Sequence, residues 1–196
     1  MTKDTKRESI ILAASEQFKL YGFRKTSMDD ISQRLGISRA SLYSYFENKD
    51  EIFRSVSLSI HERALNRAKN HLSDGSVGNA PALALRVESA LLARHSPFQK
   101  AVIDSPHGNE LFDDYSRLCG DIVMDSHARF QALLASALNA SAKGAEVDLK
   151  KAGTTGKAAA EILNLGAAGL KHGAPDLTTF KKRLKSFTRI FIAGLK

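Results

Sequence analysis

The stretch from Thr26 to Lys49, TSMDDISQRLGISRASLYSYFENK, constrains this chain more than any other. Ser27 followed by Asp30 has the form of a capping box, a hydroxyl at the N-cap and an acid three residues on. Met28, Ile31 and Leu35 then recur at i, i+3 and i+7, the apolar stripe of one short helix. Gly36 ends it, because glycine takes the left-handed C-cap conformation without a steric penalty. Ser38 is a natural N-cap for a second helix, predicted over Arg39 to Tyr45. Leu42 and Phe46 point inward there, while Ala40, Ser41, Ser44 and Tyr45 lie on the other side. Asn48, with Glu51 three residues later, caps a third helix.

A helix whose one face is bulky and apolar and whose other face is small and polar can dock on a domain and enter a DNA groove. In a helix–turn–helix the second helix lies in the major groove and the first crosses the backbone. Arg39 suits a bidentate contact to a guanine edge, and Ala40 lets the backbone approach the groove floor. Ser41 and Ser44 are candidates for bases or phosphates. Thr26, Tyr43, Tyr45 and Lys49 offer hydroxyl or ammonium groups to phosphates, contacts that set register without reading sequence. The helix starts at Ser27 and Ser38 add free backbone N–H groups that favour phosphate. From pattern alone, a plain helical hairpin remains the alternative.

The wider segment resembles the N-terminal DNA-binding domain of the TetR family of bacterial regulators. The resemblance rests on Ala13-Ala14, Phe18, Gly22-Phe23, Thr26-Ser27-Met28, Ile31 and Leu35-Gly36-Ile37-Ser38, and above all on the run from Leu42 to Phe53, LYSYFENKDEIF. It covers about residues 7–56, a quarter of the chain. Two positions depart from the family pattern: Ser44, where an aromatic, His or Arg is frequent, and Ala40, where glycine is. The resemblance implies an all-α chain of about nine helices. Residues 1–50 would form a three-helix helix–turn–helix domain, and residues 51–196 a helical bundle for effector binding and dimerisation. It also implies a homodimeric transcription regulator, most often a repressor, that binds a palindromic double-stranded operator and answers to a small molecule.

Composition sets outer limits. A net charge of +8 suits an anionic partner. Residues 1–60, however, hold ten Lys and Arg against eight Asp and Glu, so most of the excess lies beyond the reading segment. No run of about twenty apolar residues is present, so no membrane span is expected. The charged start MTKDTKRESI lacks the apolar core of a secretory signal, and the single Cys119 suits a reducing cytoplasm. The six histidines show no metal-ligand spacing. The stretch Lys150–Ala158 lacks the glycine and hydroxyl spacing of a phosphate loop. No nucleophile–base motif appears either, so neither cofactor, metal nor enzymatic activity is expected.

The remaining segments read as helices. A basic arm is expected over residues 1–6, then a first helix over about 7–21 with Ile10, Ile11, Ala14, Phe18 and Tyr21 inward. A long helix follows Asn48 to about Leu72, and residues 73–81 form a loop. A helix from Leu83 is expected to stop at Ser96-Pro97, before a short one from Phe98 to Asp104. Residues 109–140 form one long central helix, 157–172 another, and the last follows Asp176 to the chain end. Between them, 141–156 is a polar connection. The resemblance places an effector pocket in the C-terminal part, for which Leu91, His95, Phe98, Val102, Phe112, Tyr115, Cys119, Ile122 and Phe130 are the candidate lining. It also makes the last two helices a dimer interface through Ile162, Gly166, Leu170, Phe180, Leu184, Phe187 and Phe191. A DNA-binding structural factor without a ligand is the alternative function, and an enzyme or carrier built on the C-terminal bundle is a second.

Overall fold

The chain was analysed as a computed structural model that describes residues 3–73, 82–103, 105–171 and 173–196, with the backbone alone for 98–103. The predicted loop 74–81 and the side chains of Phe98 and Val102 lie outside the described residues. Among the described residues there are nine helices and no strands. They are α1 Lys3–Tyr21, α2 Met28–Leu35, α3 Arg39–Tyr43, α4 Lys49–Ser73, α5 Leu83–Ile103, α6 Gly108–Leu118, α7 Gly120–Lys143, α8 Gly156–Gly169 and α9 Leu177–Ala193. No helix among them is long and apolar enough to cross a membrane.

Two compact units emerge, one of residues 1–61 and 100–124, the other of 62–99 and 125–196. The first is built on Ile10, Ala14, Phe18, Ile31, Leu42, Phe46 and Ile52, all nearly inaccessible to water. Phe18, Phe23 and Phe53 pack as three mutually tilted rings with centroids 4.7–5.4 Å apart. Such pairs add to their area burial through edge-to-face attraction. Leu111 and Cys119 complete this core. The unit is therefore not a contiguous stretch of chain: α6 packs with the helices of the N-terminal segment.

Polar contacts within this unit fix α6 in place. Glu110 accepts from the Arg24 backbone N–H at 2.8 Å, and the buried Asp114 pairs with Arg24 and with Arg117. Ser105 donates to the Lys19 carbonyl. Arg54 donates to the Leu118 carbonyl, at the end of α6, and to both carboxylate oxygens of Asp121 in the first turn of α7. One guanidinium thus satisfies an orphan carbonyl and an N-terminal acid at the same place.

That clamp explains a departure from the sequence reading. The single helix expected over 109–140 is broken at Cys119, whose φ of −126° and ψ of 16° leave the helical region. Gly120 follows, a residue with a high entropic cost in a helix interior. Conversely, Pro97 does not end a helix: α5 runs through it to Ile103. The proline removes one backbone hydrogen bond, while burial of Val87, Ala90, Leu91 and His95 holds the preceding turns. Residues 3–6, expected in a loose arm, are helical.

The second unit buries Phe130, Leu134 and Leu138 of α7 against Ala159, Ala160, Leu163 and Ala167 of α8 and Phe180 and Leu184 of α9. Small residues on α8 let helices approach closely. A Cβ on Gly166 would lie 2.4 Å from the Phe187 ring, so the ring occupies the space a side chain would need. Thr155 caps α8 by accepting from Ala158 N–H, and Asp176 caps α9 by accepting from Thr179 N–H, as its position before the last helix predicts. Arg86, almost wholly buried, is neutralised by Glu146 at 2.7 Å.

Candidate nucleic-acid interface

Both caps of the reading segment form as its sequence dictates. Ser27 Oγ accepts from Asp30 N–H at 3.1 Å, and Asp30 Oδ2 accepts from Ser27 N–H at 2.7 Å. The Ser27 hydroxyl and N–H together hold the Asp30 carboxyl below its ordinary range. Gly36, at φ +63°, closes α2 with its N–H on the carbonyls of Gln33 and Ser32. Ser38 Oγ accepts from Ser41 N–H and starts α3.

The second helix is shorter than expected: α3 stops at Tyr43 rather than Tyr45. Ser44 is its C-cap, with its N–H on Ala40 and its hydroxyl donating to the Ser41 carbonyl at 2.7 Å. Leu42 is fully buried, whereas Ser38, Arg39, Ala40, Tyr43 and Ser44 are exposed and Ser41 and Tyr45 half-buried. One turn of helix thus offers a contiguous polar edge, with Leu42 anchoring it from behind. Arg39 is held 3.1 Å from Asp29, with its guanidinium over the Tyr43 ring.

Two predicted contacts take a different form. Thr26 is buried and its hydroxyl donates to the Gly22 carbonyl at 2.7 Å. The side chain therefore fastens the turn after α1 and does not face outward. Lys49 is half-buried, its ammonium 4.4 Å above the Phe23 ring and donating to the carbonyls of Phe23 and Arg24. Burial lowers its pKa. Its first role is to close the end of the α1–α2 connection, through a cation–π contact and two hydrogen bonds.

The candidate effector lining is divided between the two units. Leu91, His95 and Phe130 are buried in the second, where the His95 and Phe130 rings meet edge-on at 6.2 Å. Tyr115, Cys119 and Ile122 belong to the core of the first, and Tyr115 bonds His61 through its hydroxyl. Phe112 is 51% exposed and is not a wall of any core. Sequence inspection missed Arg54 and Asp121, Asp29 as the partner of Arg39, and the groups that surround His95. No local signal marks them, since the partners of Arg54 lie more than sixty residues away.

Of the dimer set, Phe180 and Leu184 are wholly buried within the protomer. They close its core and cannot meet a second chain; their place in the period-3.6 stripe does not distinguish the two roles. Ile162 is 53% exposed, and Gly166, Leu170, Phe187 and Phe191 are partly buried. Leu165 and Ile190, not in the predicted set, are exposed on the same two helices.

Residues 10–56 match the family model for bacterial regulatory proteins of the tetR family. The chain is 35% identical over 74 residues to the uncharacterized HTH-type transcriptional regulator YfiR of Bacillus subtilis, a match that spans 36% of each protein. It is 29% identical over 154 residues to the HTH-type transcriptional regulator TtgR of Pseudomonas putida, spanning 74% of this chain and 72% of that one. Its fold is similar to that of SmeT, the repressor of the multidrug efflux pump SmeDEF of Stenotrophomonas maltophilia. That likeness has a TM-score of 0.65 at 19% identity, over 95% of this chain and 88% of the other. With its capped two-helix reading segment and nine-helix architecture among the described residues, the chain belongs to the TetR family and is a DNA-binding transcriptional regulator.

Proposed function

We propose that the protein is a cytoplasmic, ligand-responsive homodimeric repressor that binds a palindromic operator, one α3 per half-site. The observation that carries this reading is the division of α3 into a buried Leu42 and an exposed Arg39, Ala40, Tyr43 and Ser44. Arg39 reads a guanine edge. Ser41, Ser44, Tyr43 and Tyr45 contact neighbouring bases and phosphates, while the starts of α2 at Ser27 and α3 at Ser38 direct backbone N–H groups at phosphates. Lys49 and Thr26 support the same surface by fixing the loop that precedes α2.

Residues 1–50 act as the reading domain and 51–196 as the effector and dimerisation domain. The exposed Ile162, Leu165 and Ile190 favour a second copy as cover for α8 and α9. A single five-residue recognition helix contacts too few bases to select a site alone, and paired half-sites answer that need. Helix α4 supplies residues to both compact units, which suits it to carry a ligand's effect to the reading domain. An opposition of about 1–3 kcal/mol between ligand and operator, roughly 5- to 150-fold in affinity, is the ordinary scale of such coupling.

Binding of the purified protein to genomic fragments at two salt concentrations, with sequencing of the bound DNA, tests the reading. A palindromic site retained at the higher salt supports it. Binding that ignores sequence and vanishes with salt refutes it, because counterion release alone then explains the affinity.

A further inference from the structure

The second unit gathers basic and polar side chains from three helices and one turn around His95. His95 of α5 is almost fully buried, and its Nε2 has no hydrogen-bond partner. Asn164 of α8 is buried to the same degree, and its Oδ1 also has none. Its amide nitrogen lies 3.2 and 3.3 Å from the two ring nitrogens of His127 on α7. Lys171, in the turn after α8, is partly buried and makes no ion pair among the described residues. Lys171, Arg94 and His127 all act on His95 through space. The one carboxylate that acts on any of these groups is Glu161, on His127.

A core does not ordinarily collect cations without counter-charge, because each desolvated charge is costly unless paired. Arg86 shows the usual solution in this same unit, a carboxylate at 2.7 Å. Around His95 that solution is missing, and the electrostatic consequence is visible. Burial and the Arg94 charge bring Lys171 down to about 8. Burial, then Lys171 and Arg94, keep His95 neutral. Clusters perturbed in this way, with orphan polar atoms beside aromatic and aliphatic walls such as Phe130 and Leu91, are characteristic of binding sites.

We infer that this cluster anchors the effector and that the effector is a small organic anion, its anionic group lodged between Lys171, Arg94 and the His127–Asn164 pair, its apolar part against Phe130 and Leu91. The anion supplies the charge the cluster lacks. The His95 Nε2 and the Asn164 amide then set its orientation, one as donor and the other as acceptor or donor according to the ligand. The inference rests on the ligand-responsive reading and specifies its ligand class.

Two measurements on the full chain test it. In the first, acetate is the minimal carboxylate probe and acetamide its neutral match, at constant ionic strength. Acetate is expected to raise the wild-type Tm above the acetamide value, and the difference is expected to disappear in Lys171→Met and shrink in His95→Asn. Equal effects of the two probes on wild type, or an acetate effect retained in both variants, overturn the anion site. In the second, a small-molecule extract of the source cells is divided on an anion-exchange resin, and each part is tested for release of the operator. Release by the retained part, lost in Lys171→Met, supports the inference. Release by the unretained part alone overturns it while leaving the ligand-responsive reading intact. Release by neither part withdraws both.

Discussion

Arg39 and Asp29 pair at 3.1 Å across the turn between α2 and α3, each more than 45% exposed. A pair so accessible contributes at most about 1 kcal/mol, little enough for a base edge to displace. The pair therefore parks the guanidinium, aligned over Tyr43, without locking it. Arg39→Ala is expected to flatten operator discrimination at one base pair per half-site by about 1–3 kcal/mol. Binding to unrelated DNA should change far less. Competition between the operator and its single-base variants measures this, and an unchanged preference removes Arg39 from base reading.

Gly22 combines a backbone at φ +85° with a carboxylate where a Cβ would stand, 2.8 Å from Glu110 Oε1. Gly22→Ala must strain the backbone and also push Glu110 off the Arg24 N–H. Gly36, at φ +63°, has nothing within 4 Å of its would-be Cβ. Gly36→Ala should cost about 1 kcal/mol of stability, and Gly22→Ala clearly more. Urea unfolding of the two variants makes the comparison; equal losses would mean that Glu110 gives way freely.

The last two helices carry two kinds of apolar residue that one period does not separate. Leu165→Glu with Ile190→Glu alters positions that are 56% and 75% exposed. That pair should yield monomers by light scattering with unchanged helicity. Phe180→Glu instead buries a carboxylate in the core and should unfold the second unit. A dimer that survives the double change would place the interface elsewhere.

Stability should depend on pH through the His95 cluster in two windows. Lys171 is depressed from 10.5 to about 8 by burial and by Arg94. Between those values the unfolded chain holds a proton that the folded chain has lost, so this group makes stability rise with pH from about 8 to 10.5. Lys171→Met should flatten that rise. His95 and His127 are depressed by burial first, then by Lys171 and Arg94 on His95 and by Arg94 on His127. They make stability fall as pH drops below 6.5. Chemical denaturation across both windows checks the signs. Carboxylate binding at Lys171 should weaken as pH passes about 8.

Local chemistry made the reading domain legible. Capping residues, a left-handed glycine and the apolar spacing of Met28, Ile31, Leu35 and Leu42 act within a few residues of one another, so their outcome is written in the order of the chain. The same holds for the start of α9 at Asp176. Where expectation failed, a distant partner was responsible. The break at Cys119 depends on Arg54, and the continuity of α5 through Pro97 depends on what its preceding turns bury.

The sequence by itself determined the fold class, the helix–turn–helix and the small polar edge of α3, because helix signals and their caps are short-range. Only the tertiary structure decided which members of each apolar stripe are core, so that Phe180 is lost to the interior while Ile190 is exposed. It alone also withdrew Thr26 into a turn, brought α6 into the unit of the reading helices, and assembled His95, His127, Asn164 and Lys171 around one point. Those outcomes depend on burial and through-space charge between residues far apart in the chain, which linear periodicity does not encode.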